Sequence, residues 1–314
     1  MKYGIVPFVT LYHWDLPLTL EKEGSWLNKA TCDAYVEFAK LCFNEFGDRV
    51  KHFITFNETV VFCALGYMAG AHPPGIQNDP KKYFQATHNV FYAHAKAVIE
   101  YKKLNQFGEI GLSHVFSPAF GVDDSEASHF AAMHANQFSM NWFYDPILLG
   151  KYPEYVVKQL QEEGNLPDWT DEELQTIFEA APLNDFMGLN YYQPQRVEKI
   201  EGSVASRTIT RENSTGSPGN PSYDNVYRTV KMDDKKYTKW DWEISPEGFV
   251  AGLEMIKEHF GQIKLYITEN GLGDEDPIID GEVCDIPRIN FIKDHLGAVK
   301  EAVRRGVHIK GRSL

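Results

Sequence analysis

Short runs of β-branched and aromatic residues alternate along this chain with longer segments of helical periodicity. The first run, residues 5–11, predicts a strand, and residues 29–46 predict a helix because Ala34, Phe38, Leu41 and Cys42 recur at helical spacing. Further strands are predicted at residues 52–56, 109–115, 264–268 and 307–310 and within 183–191, and further helices at residues 83–104, 127–147, 246–260 and 288–305. This alternation predicts βαβ units and a parallel sheet.

One segment, residues 198–240, interrupts the alternation with Ser, Gly, Asn, Thr and Pro. Either a linker or a long loop between a strand and a helix explains that composition, and the loop fits an α/β barrel better. A length of 314 residues suits one large domain. We therefore predict a single domain over residues 1–314 of the α/β class.

The amino-acid composition argues against several classes of function. The net charge of −13 argues against binding to a nucleic-acid backbone, and 43% apolar residues exclude a disordered chain. No apolar run of about 18 residues predicts a membrane span. The four cysteines, Cys32, Cys42, Cys63 and Cys284, lack metal-site spacing and predict reduced thiols in a reducing compartment such as the cytoplasm. We predict no metal and no cofactor.

Polar residues cluster where predicted strands end. Four different strands are followed by such positions: His13 and Asp15, Asn57 and Glu58, Asn190 and Tyr192, and Glu269 and Asn270. In a (β/α)₈ barrel the active site is built from these strand ends. Four such positions together predict an active site at one face of a barrel.

Two of these residues are carboxylates at the ends of hydrophobic strands, Glu58 in T-F-N-E and Glu269 in Y-I-T-E-N-G. Paired carboxylates hydrolyse glycosidic bonds, and a separation of about 5–5.5 Å gives retention through a covalent intermediate. Alternatively, each glutamate caps a following helix or pairs with an arginine. A metal site would need more carboxylate or histidine ligands than these strands offer.

Each of the neighbouring polar and aromatic residues has two possible roles. His13 is either a sugar ligand or a histidine with a structural hydrogen bond, and Trp14, Trp240 and Trp242 either stack on sugar rings or fill the core. Asn57 has an amide suited to a sugar hydroxyl beside the reacting carbon.

Five motifs together resemble glycoside hydrolase family 1, the β-glucosidase family. They are V-T-L-Y-H-W-D-L-P (9–17), T-F-N-E (55–58), H-P-P-G (72–75), G-L-N-Y-Y (188–192) and Y-I-T-E-N-G-L-G (266–273). The resemblance covers essentially the whole chain. It implies a (β/α)₈ TIM barrel, a retaining mechanism and a small-molecule glycoside substrate.

The resemblance also implies roles for individual residues. Glu58 matches the family's acid/base and Glu269 its nucleophile. His13 and Asn57 match residues that bind glycone hydroxyls, and Tyr192 matches the tyrosine that hydrogen-bonds the nucleophile. Trp242 matches an aromatic residue on the aglycone side, and Trp14, Asn190 and Trp240 complete the predicted substrate-binding set.

A finer resemblance concerns T-K-W-D-W-E-I-S-P-E-G (238–248), which looks most like the phospho-glycosidase branch. That branch cleaves 6-phospho-β-glucosides or 6-phospho-β-galactosides in the cytoplasm. We therefore predict a 6-phospho-β-glucosidase. Two alternatives stay open: a β-glucosidase or β-galactosidase for unphosphorylated sugars, and a non-catalytic carbohydrate-binding remnant. The sequence predicts no particular oligomeric state.

The chain departs from the family pattern at both ends. Residue 1 precedes what resembles the third strand, and G-V-H-I-K-G is followed by R-S-L where the family continues its eighth strand. The expected barrel is therefore incomplete, without strands 1 and 2 and the end of strand 8. Removing strands opens a barrel and exposes sheet edges. We expect this chain by itself to be marginally stable or aggregation-prone, and weakly active or inactive.

Overall fold

The computed structural model describes residues 3–200, 226–275 and 277–312. Strands in this part of the chain are β1 Phe8–Tyr12, β2 His52–Asn57, β3 Glu109–Val115, β4 Ala119–Gly121, β5 Phe186–Asn190, β6 Gln195–Lys199, β7 Tyr227–Thr229, β8 Leu265–Glu269, β9 Ile278–Ile279, β10 Glu282–Val283 and β11 Ile309–Arg312. Helices are α1 Leu18–Lys22, α2 Lys29–Phe46, α3 Thr59–Tyr67, α4 Pro80–Lys103, α5 Glu126–Asn136, α6 Trp142–Leu148, α7 Glu154–Glu162, α8 Asp171–Ala180, α9 Pro246–Phe260 and α10 Ile286–Arg304.

The predicted alternation is present. Each predicted strand corresponds to an observed one (β1, β2, β3, β5, β8 and β11), and α2 and α9 have the predicted bounds. Strand β1 begins at Phe8 rather than residue 5, because Pro7 has no N–H to donate to a sheet. The helix predicted over 127–147 is divided by a π-helical turn, Gln137–Asn141. Most of the predicted 198–240 loop, residues 201–225, lies outside the described residues.

The described chain falls into two compact units, and the prediction of a single domain stays a prediction. The first unit comprises Met1–His114 and Gln137–Gly188. Its strands follow the order β1-β2-β3-β5, with β2 parallel to both β1 and β3. Helix α2 packs on α4. An aromatic cluster formed by Tyr12, Trp26, Tyr35 and Phe56 fills the space beside the sheet, with ring centroids 4.3–5.5 Å apart in several pairs.

The second unit comprises Val115–Asn136 and Leu189–Leu314. Its main sheet has the order β5-β8-β11, with β8 and β11 parallel, and α9 packs on α10. A separate sheet, β4-β6-β7, is covered by α5. The hairpin β9–β10 turns at Asp280 and Gly281, both with positive φ, as an Asp-Gly hairpin turn requires.

The segment leading into β1 exposes large apolar side chains. Tyr3 is 79% exposed, Ile5 72% and Val6 58%, and within the described chain β1 has one strand neighbour, β2. An exposed apolar edge of this kind invites pairing with other chains. The expected tendency to aggregate stays a prediction with this surface as its physical basis. Among the described helices, none combines the length and the apolar character that crossing a membrane requires.

Candidate active site

Four of the predicted residues, His13, Trp14, Asn57 and Glu58, form one group in the first unit, which we call the first half-site. The Asn57 amide nitrogen lies 3.1 Å from Nε2 of His13. The Trp14 indole N–H donates to the Asn57 carbonyl oxygen at 3.0 Å. Asn57 is 3% exposed, whereas His13 is exposed. The histidine ring thus stands at the surface, with a buried amide behind it.

Glu58 follows β2 and has a left-handed backbone, with φ of 53° and ψ of 60°. Such a conformation is uncommon for a residue with a side chain and is often found at functional sites. The Glu58 N–H holds it by donating to the Ser113 carbonyl oxygen at 2.8 Å. Although Glu58 stands at the N-cap position of α3, its side chain makes no capping hydrogen bond. The capping alternative therefore fails for this glutamate.

The side chain of Glu58 is buried and lies close enough to the buried Tyr144 for its charge to act on the tyrosine hydroxyl. Glu58 is 7% exposed. Burial raises the pKa of Tyr144 well above its ordinary value, and the charge of Glu58 adds to that rise. His114 stacks on the Tyr144 ring at 5.6 Å, and burial lowers the pKa of His114 to about 3. Tyr144 and His114 are therefore neutral near pH 7, in a setting that disfavours charge.

The remaining predicted residues lie in the second unit and form what we call the second half-site: Asn190, Tyr192, Trp240, Trp242 and Glu269. Glu269 is the last residue of β8. The Tyr192 hydroxyl donates a hydrogen bond to Oε2 of Glu269. The Tyr191 N–H fixes the backbone of the same residue by donating to the Glu269 carbonyl oxygen at 2.9 Å. The side chain and the backbone of Glu269 are therefore each held by a neighbouring tyrosine.

The aromatic residues of this half-site adjoin that hydrogen bond. The rings of Tyr192 and Trp242 have centroids 5.3 Å apart, and Trp240 meets Trp242 edge-on at 5.3 Å. Trp240 is 43% exposed, so it does not fill the core. Asp241 between the two tryptophans has φ of 60°. The local backbone thus presents Trp240 to solvent and Trp242 to Tyr192.

Asn190 occupies a different position from the other predicted ligands. It is fully buried, and its Oδ1 accepts a hydrogen bond from the Thr268 hydroxyl at 2.6 Å. Thr268 immediately precedes Glu269 on β8. Asn190 therefore ties β5 to β8 beneath Glu269.

Two supporting residues were not among the predicted ligands. Asn270 donates from Nδ2 to the Tyr191 carbonyl oxygen at 2.8 Å, and Arg312 donates from Nη2 to Oδ1 of Asn270 at 3.1 Å. Nε and Nη1 of Arg312 are buried without a hydrogen-bond partner in the described chain, and burial lowers the pKa of Arg312. The supporting role of Asn270 could have been suspected from its position directly after Glu269. No feature of the sequence pointed to Arg312.

A metal site was the alternative use of the strand-end carboxylates. Across residues 3–200, 226–275 and 277–312, no three His, Cys, Asp or Glu side chains come together in a way that would hold an ion. The neighbour of the Glu269 carboxylate in the second half-site is a tyrosine hydroxyl.

Comparison with known proteins identifies relatives over the full chain. The family model described as Glycosyl hydrolase family 1 matches residues 1–314. A 6-phospho-beta-galactosidase of Clostridium acetobutylicum is 38% identical over 318 residues, covering 99% of this chain and 66% of the relative. One from Staphylococcus epidermidis is 37% identical over 323 residues, covering 100% of this chain and 68% of the relative.

Solved structures agree on the fold. The beta-glucosidase from Thermotoga maritima in complex with deoxynojirimycin superposes with a TM-score of 0.85 at 33% identity, covering 99% of this chain and 64% of that one. The same family 1 enzyme in complex with glucoimidazole gives a TM-score of 0.85 at 34% identity. The predicted class, an α/β fold of the (β/α)₈ barrel type, is confirmed. The chain spans about two thirds of the length of these relatives.

Proposed function

Since the chain belongs to glycosyl hydrolase family 1, we propose that it carries the catalytic residues of a retaining β-glycosidase that acts on 6-phospho-β-glycosides. The observation that carries the proposal is the contact between Tyr192 and Glu269 at the end of β8. A carboxylate that accepts a hydrogen bond from a fixed hydroxyl is held in one orientation, as a nucleophile must be. The small-molecule glycoside substrate follows from the family.

The proposed reaction has two steps. First, a Glu269 carboxylate oxygen attacks the anomeric carbon while Glu58 gives its proton to the glycosidic oxygen, and the alcohol leaves. Second, Glu58 removes a proton from water, whose oxygen attacks the same carbon and releases Glu269. The sugar leaves with its original configuration, and Glu58 is protonated again. The burial of Glu58 supports its role as the acid, because burial disfavours the charged form of a carboxyl group.

The other half-site residues supply contacts to the sugar. We assign His13 and Asn57 to glycone hydroxyls, since a histidine ring nitrogen and an amide offer both donors and acceptors. Trp242 and the exposed Trp240 offer apolar ring faces on the leaving-group side. Asn190 supports Glu269 from beneath through Thr268.

The phosphate on the substrate is proposed from the relatives. The curated relatives at 36–38% identity are named 6-phospho-beta-galactosidases. The proposed substrates therefore include 6-phospho-β-galactosides as well as the 6-phospho-β-glucosides predicted from the sequence. Phosphorylated sugars are retained inside cells, so the proposal also places the protein in the cytoplasm.

A β-glucosidase for unphosphorylated sugars is the second candidate. The Thermotoga maritima structures that resemble this chain are beta-glucosidases, at 33–34% identity. That identity is slightly below the 36–38% of the phospho-glycosidase relatives, which favours the first candidate.

Four chromogenic substrates distinguish these candidates: the 4-nitrophenyl β-glucoside, the β-galactoside and the 6-phosphate of each. We expect the 314-residue chain to hydrolyse a 6-phosphate at a low rate, Glu269→Gln to abolish that rate, and the exposed control Glu282→Gln to retain it. A 2-deoxy-2-fluoro-6-phosphoglycoside should add its sugar mass to Glu269 in the digested protein. Faster hydrolysis of the unphosphorylated pair would favour the second candidate. Sugar binding with no turnover and no labelled Glu269, in a folded chain, would contradict both and support a carbohydrate-binding remnant.

A further inference from the structure

A short segment of the second unit, residues 238–243, carries the two indole rings of the second half-site, and we call it the aromatic segment. The Thr238 hydroxyl oxygen accepts hydrogen bonds from the N–H groups of Trp240, at 3.1 Å, and Trp242, at 3.3 Å. The Thr238 N–H in turn donates to the Trp242 carbonyl oxygen at 2.9 Å. These local bonds hold the two tryptophans beside each other, but the position of the whole segment depends on contacts outside it.

Glu243 fixes one end of the aromatic segment to the β4-β6-β7 sheet. It is 2% exposed, and its carboxylate accepts hydrogen bonds from Arg196 on β6, from Nη2 to Oε1 at 2.7 Å and from Nε to Oε2 at 3.0 Å. Two parallel bonds of this kind fix the direction of the pair as well as its distance. The Glu243 N–H also donates to Oε1 of Gln193 at 3.1 Å. Because Trp242 immediately precedes Glu243, these bonds set the position of its backbone.

Arg196 is held in turn by its own sheet. Its guanidinium group lies over the Phe120 ring, 5.2 Å from the centroid, and its side chain is 15% exposed. The Arg196 carbonyl oxygen accepts a hydrogen bond from the Val230 N–H at 2.8 Å. Replacing such a pair by apolar side chains of similar volume often leaves stability unchanged. Stability therefore does not account for the pair, whereas a fixed direction for Glu243 does.

Trp240 has a separate contact, with the loop that follows β8. A Cβ atom on Gly273 would lie 2.4 Å from Cε3 and 2.6 Å from Cδ2 of the Trp240 ring, so the ring packs directly on the glycine backbone. Any side chain at this position would displace the ring. Gly271 in the same loop differs, because a Cβ atom there would meet only Cε1 of Tyr192, at an ordinary 3.8 Å. The close approach of Trp240 thus requires glycine at position 273.

We propose that Arg196 and Gly273 are positioning residues that determine how well the site binds a leaving group. Arg196 positions Trp242 through Glu243, and Gly273 leaves the space in which Trp240 packs. The inference rests on the proposed function, since it places the leaving group of a 6-phospho-β-glycoside against these indole rings. Substrates with an aromatic leaving group should therefore depend on both positioning residues, whereas a methyl group has no ring to stack and should not.

Equilibrium binding of substrate analogues to the full 314-residue chain tests the proposal. The probes are S-benzyl and S-methyl 6-phospho-1-thio-β-glycosides in the galacto and gluco configurations, titrated calorimetrically, and each pair differs only in the ring. We expect the unsubstituted chain to bind the benzyl analogue about tenfold more tightly. The double substitution Arg196→Met and Glu243→Met should reduce this preference to about twofold and leave the affinity for the methyl analogue unchanged. Gly273→Ala should have the same effect.

Matched variants show whether the effect is specific. Gly271→Ala lies in the same loop with room for the added methyl group, and it should retain the tenfold preference. The double substitution Arg228→Met and Glu198→Met removes a more exposed ion pair of the same small sheet and should retain it as well. Arg196→Lys keeps the charge but loses the two parallel bonds, so its preference should lie between those of the unsubstituted chain and the double variant.

Fluorine NMR of the chain labelled with 5-fluorotryptophan follows the indole rings without any ligand. The signals of Trp240 and Trp242 are assigned with Trp240→Phe and Trp242→Phe. We expect both signals to shift or broaden in the double methionine variant, and the Trp240 signal to do so in Gly273→Ala. The signal of Trp142, which is fully buried in the first unit, should stay unchanged and report an intact fold there.

Two results would overturn the proposal. One is unchanged Trp240 and Trp242 signals in the variants at Arg196 and Gly273. The other is a changed signal with an unchanged benzyl preference, or an equal loss of both analogues, because the two residues would then only support the fold. If neither analogue binds the unsubstituted chain, the proposed function fails, and the fluorine signals alone decide whether the two residues position the rings.

Discussion

Glu58 and Glu269 both stand at the end of a strand, yet the two units hold them by different means. Glu58 is fixed through its backbone, in a left-handed conformation with its N–H on the Ser113 carbonyl, and its side chain is buried. Glu269 is held through its backbone carbonyl by the Tyr191 N–H and also through its side chain by the Tyr192 hydroxyl, and it is only partly buried. A proton donor benefits from a dry surrounding, whereas a nucleophile benefits from hydrogen-bond donors. The difference agrees with the opposite tasks that we propose for these two identical side chains.

Chemical rescue should separate these tasks and produce the largest effect. Replacing Glu269 by glycine, or Glu58 by alanine, is expected to lower kcat for a 6-phosphoglycoside with an alcohol leaving group. The loss should be about 10⁴-fold or more for the nucleophile and about 10²–10⁴-fold for the acid. Azide should then give the α-glycosyl azide with Glu269→Gly and the β-glycosyl azide with Glu58→Ala. The same anomer from both variants, read by proton NMR, would refute the assignment.

The second-largest expected effect is a loss of folding stability at acid pH in the first unit. In the first unit, Glu173 is buried, which raises its pKa, but hydrogen bonds from His88 and Lys29 outweigh this and lower the pKa from 4.5 to about 2. A carboxylate with a lowered pKa stabilises the fold above its unfolded pKa. This stability is lost as the pH falls from about 4.5 towards 2, roughly 2–3 kcal/mol in all. Urea unfolding at stepped pH should show it.

The matched control for that experiment lies on the same helix. Glu173→Gln should remove most of the acid-dependent loss, whereas Glu172→Gln, at an exposed position of α8, should retain it. Hydrogen exchange should locate the loss in amides of the first unit. Equal acid sensitivity in both variants would show that Glu173 is not the titrating group.

The hydrogen bond to the nucleophile gives a smaller effect. Tyr192→Phe removes the donor to Glu269 and keeps the ring that packs on Trp242. A hydrogen bond to a charged group is worth about 1.5–3 kcal/mol, so kcat should fall roughly 10- to 100-fold while KM changes little. A change in KM alone would indicate a role in substrate binding instead.

Periodicity was sufficient to predict the parallel strands, and motif placement predicted the residues of both half-sites, whose catalytic and binding roles stay predictions. The strand-end positions of Asn57, Glu58 and Glu269 followed from apolar runs that stop at polar residues. The left-handed backbone at Glu58 could not be predicted, because it depends on Ser113, far away in sequence. The hairpin at Asp280–Gly281 could have been predicted from its Asp-Gly pair.

Asn190 shows a second limit of sequence analysis. Its strand-end position suggested a ligand, but a polar residue at such a position faces either the substrate or the next strand. The Oδ1 of this buried amide accepts a hydrogen bond from Thr268 on the next strand, and the role of Asn190 as a substrate ligand stays a prediction. The pairing between strands decides whether such a side chain faces the substrate or the next strand. A local sequence pattern does not reveal that pairing.

Arg312 offers the smallest and most specific test of how the second half-site is held. Its Nη2 supports Asn270, which in turn holds the Tyr191 backbone next to Glu269. Arg312→Met removes the Nη2 donor, which contacts both the carbonyl oxygen and Oδ1 of Asn270, but keeps an unbranched side chain. Since both acceptors are neutral, we expect a loss of about fivefold in kcat without a change in KM. Arg312→Lys keeps a charge and a donor and should recover part of the loss. The exposed control Arg304→Met, on α10, should retain full activity. Equal losses in KM and kcat, or no rescue by lysine, would mean that Arg312 only supports the fold and does not position Glu269.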